Sequence, residues 1–290
     1  MKNKFLKEAR RVFIHIRWPL QSYALFGFLF TILVLNLEIS EKIVFGFISW
    51  SLLWIGATLF DSYYDKDDKP VAGLPKPPKI SKSLLYGAWL FKIIGFIFAL
   101  QVNNIFQGIY IMGALASIGY SHKNFRLKSS GYFSLFANFC TGVATFVAFS
   151  SFLFPHPKTF FLGITTIGFF QASTYLIMQI HQVREDKIRE DKSIAVVFGK
   201  KKALSLATMF LAISGIFGIL TFFEANLPKS FIIISGLYFL ILIGLILRWR
   251  SKKQNPKEDF KTMNKLTIYS SYIANTVLLI TYIFRIKSFF

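Results

Sequence analysis

Long apolar runs, most near 20 residues, recur along the whole chain and alternate with short polar segments. Crossing a bilayer takes about 20 helical residues, so each run predicts a transmembrane helix. Nine are expected, at about 18–37, 41–60, 83–102, 105–121, 131–153, 159–180, 202–223, 229–247 and 265–284. No stretch between them is long enough for a soluble domain. Residues 1–290 therefore read as one all-α transmembrane domain, a single bundle of nine helices. Lys92 interrupts the third run, where its ammonium must snorkel, pair or face a cavity. The basic start (Lys2, Lys4, Lys7, Arg10, Arg11) precedes an apolar run with no small-residue cleavage site. It reads as the approach to a first membrane helix and not as a cleaved leader.

Composition agrees. The chain is 54% hydrophobic and only 17% charged, against roughly 25% charged in a soluble domain. A net charge of +20 raises the question of nucleic acid. The basic residues fall instead in the short loops between spans, so nucleic acid is excluded as a partner and membrane lipid is expected. With the N-terminus in the cytoplasm, 28 of the 34 Lys and Arg lie on the cytoplasmic side and five on the other, with Lys92 within a span. The positive-inside rule then orients the chain, N-terminus in and C-terminus out, in the inner membrane of a bacterial cell. The one cysteine, Cys140, lies in an apolar run and reads as a free thiol.

Against this background the acids stand out. Asp61-Ser-Tyr-Tyr-Asp65-Lys-Asp67-Asp68 follows the second span, where carboxylates beside lipid are costly and point to function. If the helix continues, Asp61, Asp65 and Asp68 share one face at i, i+4 and i+7, while Asp67 points off it and reads as a bystander. Clustered carboxylates repel unless a cation sits among them, and an all-oxygen set suits Mg²⁺. The Pro- and Gly-rich segment from Lys69 to Lys79 is either a spacer or a cap over such a site. A second acidic group, Glu185, Asp186, Glu190 and Asp191, follows the sixth span. In a continuous helix Gln179, Gln182, Asp186 and Glu190 would form one polar stripe. A basic segment with Lys123, Arg126 and Lys128 follows the fourth span, on the same side of the membrane.

Two acidic patches facing each other, with Arg and Lys nearby, suit a diphosphate bridged by Mg²⁺ to carboxylates. Apolar helices would hold a polyprenyl chain, and aromatic faces would stabilise an allylic cation. No phosphate-binding glycine loop, HExxH, CxxC or GxSxG motif is present. The four histidines are scattered, and His181 adjoins the second cluster.

These segments resemble the UbiA superfamily of intramembrane prenyltransferases, which has nine helices and aspartate-rich motifs after helices 2 and 6. The resemblance rests on Asp61 to Asp68, on Gln182-Val-Arg-Glu185-Asp186 with the tail Asp191 to Gly199, and on Tyr120 to Lys128 followed by Asn138 and Gly142. Arg17-Trp-Pro19 is similar to the family's opening of helix 1. The chain departs from the pattern in placing Asp61 where Asn is usual, Ser62 at the first Asp, Asp68 one position early and Gln182 at the leading Asp of the second motif. His122-Lys123-Asn124 replaces the paired prolines. The resemblance implies that Asp61, Asp65, Asp68, Glu185 and Asp186 hold Mg²⁺ and diphosphate, with Asp61, Asp65 and Asp186 catalytic. It implies that Arg126 and Lys128, with Arg17, contact the diphosphate, and that Tyr120, Asn138, Gln179 and Gln182 line the pocket. The expected reaction moves a polyprenyl group from its diphosphate to an aromatic or other lipid-soluble acceptor. A nine-span transporter, or a polyprenyl-lipid binder without chemistry, is the alternative; a transporter's coupling site is expected at mid-bilayer, not at the cytoplasmic mouth.

Overall fold

In a computed structural model, residues 2–67 and 69–287 are described. Among the described residues every regular element is a helix, and two isolated bridges are the only β-type pairings. The α-helices are α1 (Lys2–His15), α2 (Trp18–Leu35), α3 (Glu41–Asp65), α4 (Lys82–Ala99), α5 (Asn104–Ser121), α6 (Gly131–Ser150), α7 (Pro157–Gln179), α8 (Val183–Ile188), α9 (Ile194–Glu224), α10 (Lys229–Arg250), α11 (Pro256–Asn264) and α12 (Ser270–Lys287). Among the described residues seven stretches are long and apolar enough to cross a membrane: Glu41–Asp65, Lys82–Ala99, Gly131–Ser150, Pro157–Ile188, Ile194–Glu224, Lys229–Arg250 and Pro256–Arg285. The expected spans 18–37 and 105–121 fall on α2 and α5, which are not among them. Five residues of α5 (Gln107, Gly108, Gly113, Ser117 and Gly119) dilute its apolar character.

The chain divides into two compact units. One comprises residues 1–25 and 39–128, the other 26–38 and 129–290.

In the first unit α3 packs along α4 and α5, and α1 lies against α4. Helix α3 starts at Ser40, whose hydroxyl accepts the Ile43 N–H at 3.4 Å. It ends where Lys66 turns left-handed (φ 52) and its N–H bonds back to the Ser62 carbonyl. Ile16, Ile55, Leu59, Phe60, Leu84 and Ala88 form the core. Gly56 brings α3 close to α4: a Cβ there would lie 2.7 Å from Lys92 Cγ and 2.9 Å from the Ala88 carbonyl. Lys92 stays buried, its ammonium donating to Ser117 Oγ at 2.8 Å and lying 4.4 Å from the centre of the Phe60 ring. Of the three expectations for Lys92, pairing is the one met.

The helix α1 has no counterpart among the expected elements. Its Glu8 carboxylate accepts from Ser81 and Ser83 at 2.5 and 2.9 Å, which ties it to the start of α4. Phe5, Leu6 and Phe13 face outward beside its basic residues, an amphipathic arrangement suited to a membrane surface.

In the second unit α7 packs along α6 and α9, and α9 along α10. Phenylalanines fill its core: the ring centres of Phe26 and Phe170 are 4.5 Å apart, and those of Phe222 and Phe231 4.9 Å. Gly199 (φ 76, ψ 165) kinks α9 in a backbone conformation that side chains disfavour. Just beyond it the buried Lys200 ammonium donates to Asp259 at 2.6 Å, and the same carboxylate accepts from Trp249 Nε1 at 2.7 Å. Cys140 is a free, half-buried thiol in α6.

Candidate functional site

In the first unit, the C-terminal turns of α3 bring Asp61 and Asp65 onto one face, one helical turn apart. The segment after α5 then delivers cations to them. The His122 carbonyl accepts N–H bonds from Phe125 (3.1 Å) and Arg126 (2.7 Å), closing a tight turn with Arg126 in the left-handed region (φ 36). A single 3₁₀ turn, Leu127–Ser129, follows and carries Lys128 inward. Its ammonium lies 2.5 Å from Asp61 Oδ1 and 2.6 Å from Asp65 Oδ2, and 5.9 Å from the centre of the Tyr120 ring. Arg126 pairs with Asp65 at 3.7 Å, and Ser121 Oγ donates to Asp61 at 2.6 Å. The cation that the clustered carboxylates require is thus supplied by the chain itself. Burial pulls the Lys128 ammonium down, but the two carboxylates outweigh it and hold it above its usual value.

Asp67 is no bystander. It is buried (5% exposed) and ion-paired with Arg17, which also donates to Ser62 Oγ at 2.7 Å. Helix α3 ends at Asp65, where Lys66 turns left-handed; the expected i+7 position, Asp68, lies outside the described residues. Burial pushes the Asp67 carboxyl up, the Arg17 guanidinium pulls it back, and the charges of Asp65 and Asp61 add to the rise, leaving it at about 6. Arg17 is held left-handed (φ 54) in the turn between α1 and α2.

The Pro- and Gly-rich loop is not a loose spacer. Val71 and Leu74 exchange backbone bonds at 3.1 and 2.8 Å around Gly73 (φ 76), and Val71, Ala72 and Leu74 are buried. A Cβ on Gly73 would lie 3.3 Å from Leu20 and 3.8 Å from Arg17 Cβ. Further on, the buried His15 ring donates from Nε2 to the Pro78 carbonyl at 3.0 Å. Burial holds that imidazole below its usual value, against the pull of the Pro78 bond.

In the second unit, α7 stops at Gln179. A 3₁₀ turn, Ile180–Gln182, separates it from α8, and Glu190 lies beyond α8 at φ 61. The polar stripe from Gln179 to Glu190 is therefore broken, since three residues of tighter winding shift the register. Asp186 is buried and engaged through both oxygens, with Arg189 Nη2 at 2.8 Å and Ser193 Oγ at 2.8 Å. Arg189 Nε also bonds Asp191 at 3.2 Å. Glu185 is half-buried on α8, and Gln182 is half-buried at the end of the 3₁₀ turn. Gln179 Oε1 accepts from the Ala195 N–H at 3.4 Å, while its buried Nε2 has no hydrogen-bond partner among the described residues. Asn138 Nδ2 donates to the Ser134 carbonyl of its own helix. His181 is buried with its ring 5.3 Å from that of Phe260.

Sequence reasoning missed Ser121 and Arg189. Arg189 stands at i+3 from Asp186, a spacing that pairs charges on a helix. Nothing local marks Ser121, which meets Asp61 across 60 positions.

Among the described residues no group of three or more His, Cys, Asp or Glu is set to hold a metal. The donor set still fits a hard cation. Mg²⁺ needs only one or two carboxylates, completing its shell with water and substrate phosphate, and Asp61 and Asp65 already share one cation-sized point, held by the Lys128 ammonium.

Known proteins were compared with this chain. A search of curated proteins returned no match. Among solved structures the fold is similar to a UbiA homologue from Archaeoglobus fulgidus bound to DMAPP and Mg²⁺ (19% identity, TM-score 0.68, covering 92% of this chain and 99% of that one). A digeranylgeranylglyceryl phosphate synthase is similar at 16% identity and TM-score 0.63, over 96% and 98% of the two chains. An apo UbiA homologue from Aeropyrum pernix K1 is similar at 16% identity and TM-score 0.65, over 90% and 97%. At these identities the likeness establishes the fold. The sequence profile of the UbiA prenyltransferase family matches residues 22–271, nearly the whole chain. With its apolar helices and this match, the chain is an integral membrane protein that belongs to the UbiA prenyltransferase family.

Proposed function

We propose that this enzyme is a Mg²⁺-dependent prenyltransferase that moves a polyprenyl group from its diphosphate to an aromatic or other lipid-soluble acceptor. The observation that carries the reading is the meeting of Asp61 and Asp65 with Lys128 and Arg126 at the polar end of an apolar helix. An acidic pair alone would suit a cation, and a basic pair alone an anion. Both together suit a metal–diphosphate substrate. That relatives of this fold have been seen with DMAPP, GPP and Mg²⁺ supports the same substrate class.

Asp61 and Asp65, with Asp68, would hold the metal, and Glu185 and Asp186 are proposed as further ligands. A divalent ion held there would supply positive charge to offset that of the departing diphosphate. Lys128 and Arg126 donate to the diphosphate oxygens as the C1–O bond breaks and its electron pair leaves on the diphosphate. Arg17, fixed by Asp67, adds a third positive charge. Tyr120 steadies the Lys128 ammonium over its ring face. Asn138, Gln179 and Gln182 line the pocket, and the unpartnered Nε2 of Gln179 is a donor free to meet a substrate oxygen. Apolar helices keep water from the allylic cation until the acceptor's nucleophile bonds to C1 and gives up its proton. Residues 1–290 are proposed as one domain of the cytoplasmic membrane of a bacterial cell, with nine helices crossing, the N-terminus inside and the site facing the cytoplasm, as the bias of Lys and Arg supports.

The test supplies purified protein with farnesyl or geranylgeranyl diphosphate, Mg²⁺ and a panel of acceptors, with products read by mass spectrometry. Prenylated product that disappears with chelator supports the reading. Cation flux in proteoliposomes without any diphosphate turnover would replace it with a transporter.

A further inference from the structure

The position that a metal would take between Asp61 and Asp65 is held by an ammonium. Lys128 Nζ stands 2.5 Å from one carboxylate and 2.6 Å from the other. Mg²⁺ binds oxygen at about 2.0–2.1 Å, so an ion bridging this pair and the ammonium would claim the same space. The surrounding charges are also matched. Arg126 stands 3.7 Å from Asp65, and Arg17 is paired with Asp67. Among the described residues three carboxylates therefore face three cations, which cancels much of the local field that would draw a free divalent ion from water.

The second unit repeats the device independently. There Arg189 joins Asp186 at 2.8 Å to Asp191 at 3.2 Å, and Ser193 takes the other Asp186 oxygen.

Resting on the proposed metal–diphosphate chemistry, we infer that Lys128 is an exchangeable counter-ion which makes metal binding wait for diphosphate. Without diphosphate the Lys128 ammonium, with the Arg126 guanidinium beside Asp65, balances the charge of Asp61 and Asp65, and a free divalent ion binds weakly. An arriving diphosphate offers Lys128 and Arg126 a stronger partner. As Lys128 turns from the carboxylates to phosphate oxygens, Asp61 and Asp65 are uncovered for the metal that accompanies the diphosphate. The flexible four-carbon stem and point charge of lysine suit such a swing better than the rigid guanidinium fork of arginine. Metal and diphosphate then bind with positive coupling, which is reciprocal by linkage. The arrangement would also keep bare metal from occupying the site before a substrate arrives.

The test uses the full-length protein in detergent and Mn²⁺ as the probe, with bound and free ion separated by electron paramagnetic resonance. Neither a prenyl chain nor an acceptor is present. The native protein is expected to bind Mn²⁺ weakly alone, and K128Q at least about tenfold tighter, within the usual range of coupling between sites. K128R keeps the positive charge and should stay near native. A second measurement needs no variant: labelled inorganic diphosphate should bind native protein at least about tenfold tighter with saturating Mn²⁺ than with chelator. Native protein that binds Mn²⁺ alone as tightly as K128Q, or diphosphate binding indifferent to Mn²⁺, would overturn the exchange. Native turnover without the K128Q gain would sink the exchange and leave the prenyltransferase reading standing. The gain without any native turnover would do the reverse.

Discussion

Replacing Asp67 by Asn removes one buried charge and keeps the shape. The carboxyl titrates at about 6 in the fold, and its ordinary value is 3.8. Because the folded value is the higher one, the folded state holds more protons than the unfolded state between those pH values. Stability therefore falls as pH rises through that window, at up to about 1.4 kcal/mol per pH unit for one group. Over a window of about 2 pH units the loss from Asp67 approaches 3 kcal/mol. It is complete above pH about 6, where the Arg17 pair does not recover the whole cost of burying the ionised carboxylate. The assay is unfolding in mixed micelles between pH 4 and pH 8, with chelator present so that metal does not compete. The difference between native protein and D67N isolates this group from the other carboxylates. D67N should lose most of the decline between pH 4 and pH 6. An identical decline in both proteins, or a native stability that rises across the window because of Asp67, would show that burial does not raise the Asp67 carboxyl in the fold.

Three further outcomes follow from burial and backbone geometry. G199A meets no neighbour within 4 Å of its new Cβ, so its cost is conformational, at about 1–3 kcal/mol, and should appear as a lower melting temperature in detergent. K200M leaves the buried Asp259 carboxylate without its ammonium and should cost about 3–5 kcal/mol in the same melt; a loss under about 1 kcal/mol would show that the network is not buried as described. K92M should leave stability unchanged or raise it, because the Ser117 hydroxyl and the Phe60 ring compensate only part of the cost of a buried ammonium.

Much of the site was legible in local spacing. Asp61 and Asp65 share a face because a helix returns every 3.6 residues, and the basic loop advertised Arg126 and Lys128 by composition. The limits lie where local rules stop. No periodicity shows that Lys66 turns left-handed, yet that single residue ends α3 at Asp65. The 3₁₀ turn at Ile180–Gln182 likewise breaks a stripe that an unbroken helix would have kept. Tertiary pairing was the larger omission. Sequence treats acids as awaiting metal and bases as awaiting phosphate, whereas Lys128 meets Asp61 across 67 positions and Arg17 meets Asp67 across 50. Such contacts have no local signature, and among the described residues they match the acids of this cluster with cations.

The central claim is that Asp61 and Asp65 carry a metal–diphosphate chemistry. The most direct measurement is diphosphate release from geranylgeranyl diphosphate by purified D65A beside native protein, with Mg²⁺ and with chelator. The native enzyme should release diphosphate only with Mg²⁺, and that release should be abolished by chelator and lost in D65A although the variant remains folded by its melting profile. Undiminished release by folded D65A, or release indifferent to Mg²⁺, would contradict it.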